Sequence, residues 1–217
     1  SICAYHLLRK QHVSFFTKSF RMGLSMALIF SVVEIVQGHM HGAEVAKVQP
    51  VKLAAMESLW ETTAAAPQYL FLIPDEANER NSVSFGGIPG ALSMLAYHTP
   101  DATVKGLKDF PKEDRPPVTL SFLSFRVMVA LGFLFLLLTV VGWFKRNKLL
   151  ESPGYLKIML YAVPLPYLAA EAGWTLAEVG RQPWVVYGIM KTSDAVSPIA
   201  SSQVLVSLIA FIGIYSL

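Results

Sequence analysis

The chain has 217 residues, of which 53% are hydrophobic and only 15% charged, against roughly 25% charged in an ordinary soluble domain. Mean hydropathy is +0.47 and net charge +3; the basic residues gather in short clusters at the ends of apolar runs, which points to a membrane protein and away from a nucleic-acid binder. The single cysteine, Cys3, excludes an internal disulfide and a thiolate metal cluster.

In chain order, residues 1–8 (SICAYHLL) read as the tail of a helix, with no basic leader ahead of a cleavable segment. Residues 20–37 (FRMGLSMALIFSVVEIVQ) form an apolar run broken by Glu34. Arg9, Lys10, Lys18 and Arg21 lie between these two, which assigns that loop to the cytoplasm. Residues 1–37 thus form the first unit. Residues 38–117 form a long external loop, with a helix expected over 50–60, turns around 86–90 and a charged run at 105–115. Its tryptophan, phenylalanines and helix signal favour an ordered, functional loop.

Residues 118–217 supply three further spans, at about 118–144, 155–178 and 202–217. The first is long enough to cross the roughly 30 Å hydrocarbon core. Lys145, Arg146 and Lys148 follow it as a second cytoplasmic loop. The second carries Pro164 and Pro166, which predict a kink. The last stops inside an apolar run, so the chain reads as an internal piece of a longer one. The expected fold is all-α, a polytopic transmembrane helix bundle with a long external, periplasmic loop.

Ionisable side chains inside apolar helices are costly and mark candidate sites. Arg126, in SFRVMVALG, needs an anionic partner. Met128 is either one more apolar contact or a thioether ligand to a haem iron, with Arg126 at a propionate. Glu171, Trp174, Glu178 and Arg181 fall at spacings of three, four and three on one helix face. They form either an anchoring ion pair, Glu178 with Arg181, or a set able to ligate iron or pass protons. Lys52 and Glu57 belong either to a solvated helix face or to a quinol pocket where the carboxylate takes a proton. His39 and His41 make a weak metal pattern without a third ligand. His12 reads as a surface residue and His6 as a neutral core histidine.

The strings KLAAMExxWET (52–62), FRVMV (125–129), EAGWxxxE (171–178) and GRQPW (180–184), in this order, resemble cytochrome bd oxidase subunit I. The resemblance runs from ICAYHLLRKQH to the last helix and covers the C-terminal part of the subunit, with the short form of its quinol loop. It implies a subunit of a quinol:oxygen oxidoreductase that oxidises quinol outside, reduces oxygen to water and generates a proton-motive force. Met128 looks like the low-spin haem b ligand, with Arg126 as its nearby charge. Glu178 looks like the carboxylate of the high-spin haem b, and Trp174 like the tryptophan between haems. Arg181 would hold a propionate or Glu178, and Lys52 and Glu57 look like the quinol pair.

The implied cofactors are low-spin haem b, high-spin haem b, and haem d or a further haem b. The implied partners are subunit II, small accessory subunits, ubiquinol or menaquinol, oxygen and the lipid bilayer, with no nucleic acid. The expected location is a bacterial or archaeal cytoplasmic (inner) membrane. The family's histidine ligands and acidic proton-path residues would lie upstream of Ser1. None of the five histidines here matches one, and the piece alone is expected to be inactive. The competing reading is a polytopic ion or solute transporter built on Glu34, Arg126, Glu171 and Glu178.

Overall fold

A computed structural model describes residues 1–216. Leu217, the end of the expected last span, lies outside the described residues. After α1 (Ile2–Leu8), helix α2 (Val13–Val48) runs for 36 residues, roughly 54 Å at 1.5 Å per residue. The expected span at 20–37 is its apolar middle. The helix continues through the polar stretch 38–48 because nothing there breaks it until Pro50. That proline disfavours helical backbone at Gln49, which adopts φ −139° and ψ 64°.

Pro50 then opens α3 (Pro50–Met56), which is shorter than the helix expected over 50–60. Leu59 N–H donates to the Ala54 carbonyl at 2.8 Å and Ser58 N–H to Ala55 at 3.2 Å. This pair of bonds closes a helix C-terminus around a left-handed residue, usually glycine. Here that residue is Ser58, at φ +49°. Its hydroxyl donates to Asn81 Oδ1 at 2.7 Å, and Asn81 Nδ2 donates to the Ser58 carbonyl at 3.0 Å. These two bonds offset the left-handed strain.

The loop also contains strands, which the all-α expectation omitted. β1 (Thr63–Ala64) pairs with β4 (Thr103–Val104), on either side of a hairpin and a short helix. The hairpin is β2 (Gln68–Asp75) with β3 (Arg80–Ile88), and the helix is α4 (Ala91–Tyr97). At the hairpin tip, Glu79 binds Lys112 at 2.5 Å and Arg115 at 3.4 Å. Glu76 accepts the Thr119 N–H at the start of the next helix.

That helix, α5 (Val118–Lys145), packs between α2 and α7. The expected third span is two helices, α6 (Pro153–Tyr161) and α7 (Leu165–Val179). Neither Pro164 nor Pro166 can donate a backbone bond, so the helix stops and restarts there. A small hairpin follows, β5 (Trp184–Val186) with β6 (Met190–Lys191), and then α8 (Ser201–Tyr215). Two stretches, Val13–Val48 and Lys112–Lys145, are long and apolar enough to cross a membrane, and only 11% of the most apolar window in each is buried. Their apolar sides face outward, as a bilayer or further helices require.

The best-buried residues collect around α3. Val51, Ala54 and Ala55 pack on Trp60, Leu107 and Val118. Leu53 packs with Ala46, Leu92, Ala96 and Val104. A second core joins α1, α2 and α6 through Ala4, Leu7, Phe20, Leu24 and Tyr155.

Gly106 lies where the chain crosses the 60–62 backbone. A Cβ there would sit 2.4 Å from the Glu61 carbonyl carbon and 2.5 Å from the Trp60 oxygen. Backbone cannot yield as a side chain would. Gly106→Ala should therefore destabilise the loop by about 2 kcal/mol, seen as a lower thermal midpoint and faster proteolysis within residues 59–108. Gly23→Ala, whose Cβ meets nothing within 4 Å, should leave both unchanged.

Candidate functional site

The site is built where α3 meets α5 and α7. Because α3 ends at Met56, the Glu57 side chain leaves the helix at its C-cap and is 7% exposed. Arg126, in the third turn of α5, donates from Nη2 to Glu57 Oε2 at 2.6 Å. Gln68, the first residue of β2, donates from Nε2 to the same oxygen at 2.7 Å. The guanidinium also lies over the Phe122 ring at 5.1 Å, a cation–π contact. Burial pushes the Glu57 carboxyl above the ordinary carboxylate range, while Arg126 and then Gln68 pull it back.

Glu57 also lines a cavity of about 300 Å³, walled in addition by Ser58, Trp60, Tyr69, Asn81 and Lys108. That volume is at the lower end of small-molecule pockets. Trp60 Nε1 donates to Asn81 Oδ1 at 3.2 Å, so Asn81 ties the turn after Glu57 to the hairpin.

Lys52 does not share this place. It is on α3, but its Nζ donates to the Ala177 carbonyl at 3.3 Å, near the end of α7. Burial and the nearby Arg181 lower the Lys52 pKa, with Glu178 opposing them. The short helix aims Lys52 and Glu57 at two different helices, α7 and α5. Arg181 donates twice to Glu178 Oε2, from Nη2 at 2.5 Å and from Nε at 3.2 Å. It also donates to the Val185 carbonyl at 3.2 Å, which ties the β5–β6 hairpin to α7.

Met128 sits half-buried against Val45, Met56 and Leu176. Its sulfur faces α7 at Gly173, where a Cβ would approach it to 3.0 Å. Trp174 is 65% exposed, and Glu171 and Glu34 are exposed as well. The paired histidines are His39 and His98, with ring centroids 5.2 Å apart; His41 does not join them. Among the described residues, no three His, Cys, Asp or Glu side chains are placed to hold a metal ion. His6 is half-buried and bonds Gln11 at 2.9 Å. It stacks on Phe16, an end-of-helix contact rather than a core one.

Sequence reading missed Gln68, Ser58 and Asn81. Gln68 and Asn81 reach the site only through the hairpin, and no local pattern announces them. The ion pair itself gives a direct test. Arg126→Met leaves Glu57 buried without its cation and should cost about 3 kcal/mol, measured by thermal unfolding of the full-length protein in detergent. The double variant Arg126→Met/Glu57→Met should recover part of that loss.

The whole chain, residues 1–217, matches the family described as cytochrome bd terminal oxidase subunit I. It is 39% identical to the Bacillus subtilis protein named cytochrome bd ubiquinol oxidase subunit 1, over 97% of this chain and 47% of that protein. It is 30% identical to the Escherichia coli cytochrome bd-II ubiquinol oxidase subunit 1, over 100% of this chain and 55% of that protein. The solved structure of bd oxidase from Geobacillus thermodenitrificans superposes with a TM-score of 0.84 at 34% identity, covering 99% of this chain and 50% of that one. The chain spans about half the length of the curated relatives it matches. It belongs to the cytochrome bd terminal oxidase subunit I family.

Proposed function

We propose that the full-length protein is the haem-binding subunit of a quinol:oxygen oxidoreductase in a bacterial or archaeal inner membrane, paired with a subunit II. It oxidises quinol at the external face, reduces oxygen to water and so generates a proton-motive force. The observation that carries this reading is Glu57: a buried carboxylate that lines a cavity and is joined to Arg126, two residues from Met128. Family membership favours it over a transporter.

The residues present fit their share of the implied haems. A thioether from α5 and a carboxylate from α7 are the right donor types. Arg126 Nε is buried without an acceptor, which leaves it free for a propionate oxygen. Met128 would hold the low-spin haem b and Glu178 the high-spin one, with Trp174 between haems on an open face of α7. Arg181 is already committed to Glu178 and positions that carboxylate. A bound haem supplies one-electron chemistry at each place.

Glu57 takes the proton released when a quinol hydroxyl is oxidised, because a buried carboxylate with a raised pKa is a stronger base than an exposed one. Lys52 acts at the α7 end, steadying the helix terminus beside Glu178.

The reading is tested on the full-length oxidase with its partner subunit, by reduced-minus-oxidised absorption. Met128→Leu should remove the low-spin haem b bands and Glu178→Ala should alter the high-spin ones; haem bands indifferent to both would overturn the assignments. Glu57→Gln should keep the bands and lower quinol oxidation roughly 100-fold. Glu57 must be ionised to accept a proton, so the rate should rise with pH through its folded pKa. That acid limb should lie above the ordinary carboxylate range and vanish in Glu57→Gln.

A further inference from the structure

We propose that Gln68 is a positioning residue for Glu57, holding one carboxylate oxygen so that the other is presented to substrate in the adjoining cavity. This rests on the reading of Glu57 as the proton acceptor. Arg126 and Gln68 both donate to Oε2, at 2.6 and 2.7 Å. No hydrogen bond among the described residues falls on Oε1. Glu57 belongs to the cavity wall, whereas Arg126 and Gln68 do not. The two donors therefore stand behind the carboxylate, and the cavity lies on its open side.

Among the described residues the Gln68 amide has no other polar partner to explain its place. Its Oε1 is buried without a donor, and a buried unpaired acceptor has a cost that calls for a reason. The single bond it does make is the one to Glu57. Arg126 alone could swing with the carboxylate about one contact. Two donors from different elements, α5 and β2, fix both its position and its rotation. Without Gln68 the carboxylate can turn Oε1 toward Arg126 for a bidentate pair, which removes the free oxygen from the cavity.

The other charges around the cavity are internally matched. Glu61 binds Lys108 at 2.5 Å, Glu79 binds Lys112 and Arg115, and Arg80 lies 3.8 Å from Asp75. Glu61 is solvent-exposed, so Glu57 is the buried carboxylate of this wall with an oxygen left for a hydroxyl donor.

The experiment uses the full-length oxidase with its partner subunit, in membranes, with a soluble short-chain quinol as probe. Gln68→Met keeps the side-chain length and removes the donor; Gln68→Ala removes both, at a half-buried strand end that tolerates truncation. With haem absorption intact, kcat should fall roughly tenfold, the loss of one hydrogen bond to a charged group, with KM little changed. The acid limb of the pH–rate profile should move to higher pH, because Gln68 favours the ionised carboxyl. Glu57→Gln is run alongside. If it retains full activity, the acceptor reading of Glu57 fails, and this proposal fails with it. If Glu57→Gln is inactive while both Gln68 variants match the parent in kcat and pH profile, the positioning role alone is overturned. Loss of assembly in both Gln68 variants would overturn it too, assigning Gln68 to folding.

Discussion

The ion pair between Glu57 and Arg126 ties the long loop between α2 and α5 to helix α5, and the site's geometry follows from it. Arg126 is set in the third turn of an otherwise apolar helix, where an unmatched guanidinium is costly. Glu57 is buried at the end of a short helix, where an unmatched carboxylate is equally costly. Each makes the other tolerable. Closing the pair pulls α3 onto α5, and the cavity forms in the space left between the turn after Glu57 and the hairpin.

A polar pair of this kind is a constraint on shape more than a source of stability, since a buried ion pair often roughly breaks even against apolar packing. The apolar contacts of Val51, Ala54 and Ala55 with Trp60, Leu107 and Val118 supply the cohesion. The charges decide which way the assembled loop sits. The same helix reaches α7 through Lys52 and α5 through Glu57. Only seven residues long, α3 links the neighbourhoods of Glu178 and Met128, so a rotation of α3 would be felt at both.

Local patterns in the sequence carry some of this and not the rest. The long apolar runs show where helices α2 and α5 lie, and Pro164 and Pro166 mark the break between α6 and α7. Spacing of three residues already suggests the pair of Glu178 with Arg181. Arg126 likewise shows its need for an anion. Its partner is 69 positions upstream, across a loop whose closure no short-range pattern encodes. The hairpin strands went unseen because their outward face is apolar: Phe71, Val83 and Phe85 are exposed, which obscures the alternation that marks a half-buried strand. Helix α2 ran past its apolar segment because polarity ends a membrane span but not a helix. Lys52 and Glu57 look like a pair in sequence, and a helix turned them apart.

The hairpin is held at both ends. Its base reaches Glu57 through Gln68, and its tip is fastened to the start of α5 through Glu76 and Glu79. A strut fixed at two points transmits length changes. Adding or deleting a residue between 68 and 88 would shift register by one and turn the inward face outward, and the displacement would arrive at the carboxylate. The turn at 98–102 is anchored elsewhere: the Ser93 hydroxyl donates to the Ala102 carbonyl at 2.6 Å, and His98 lies against His39. A change of length there would be felt at α4 and α2 before it reached the carboxylate.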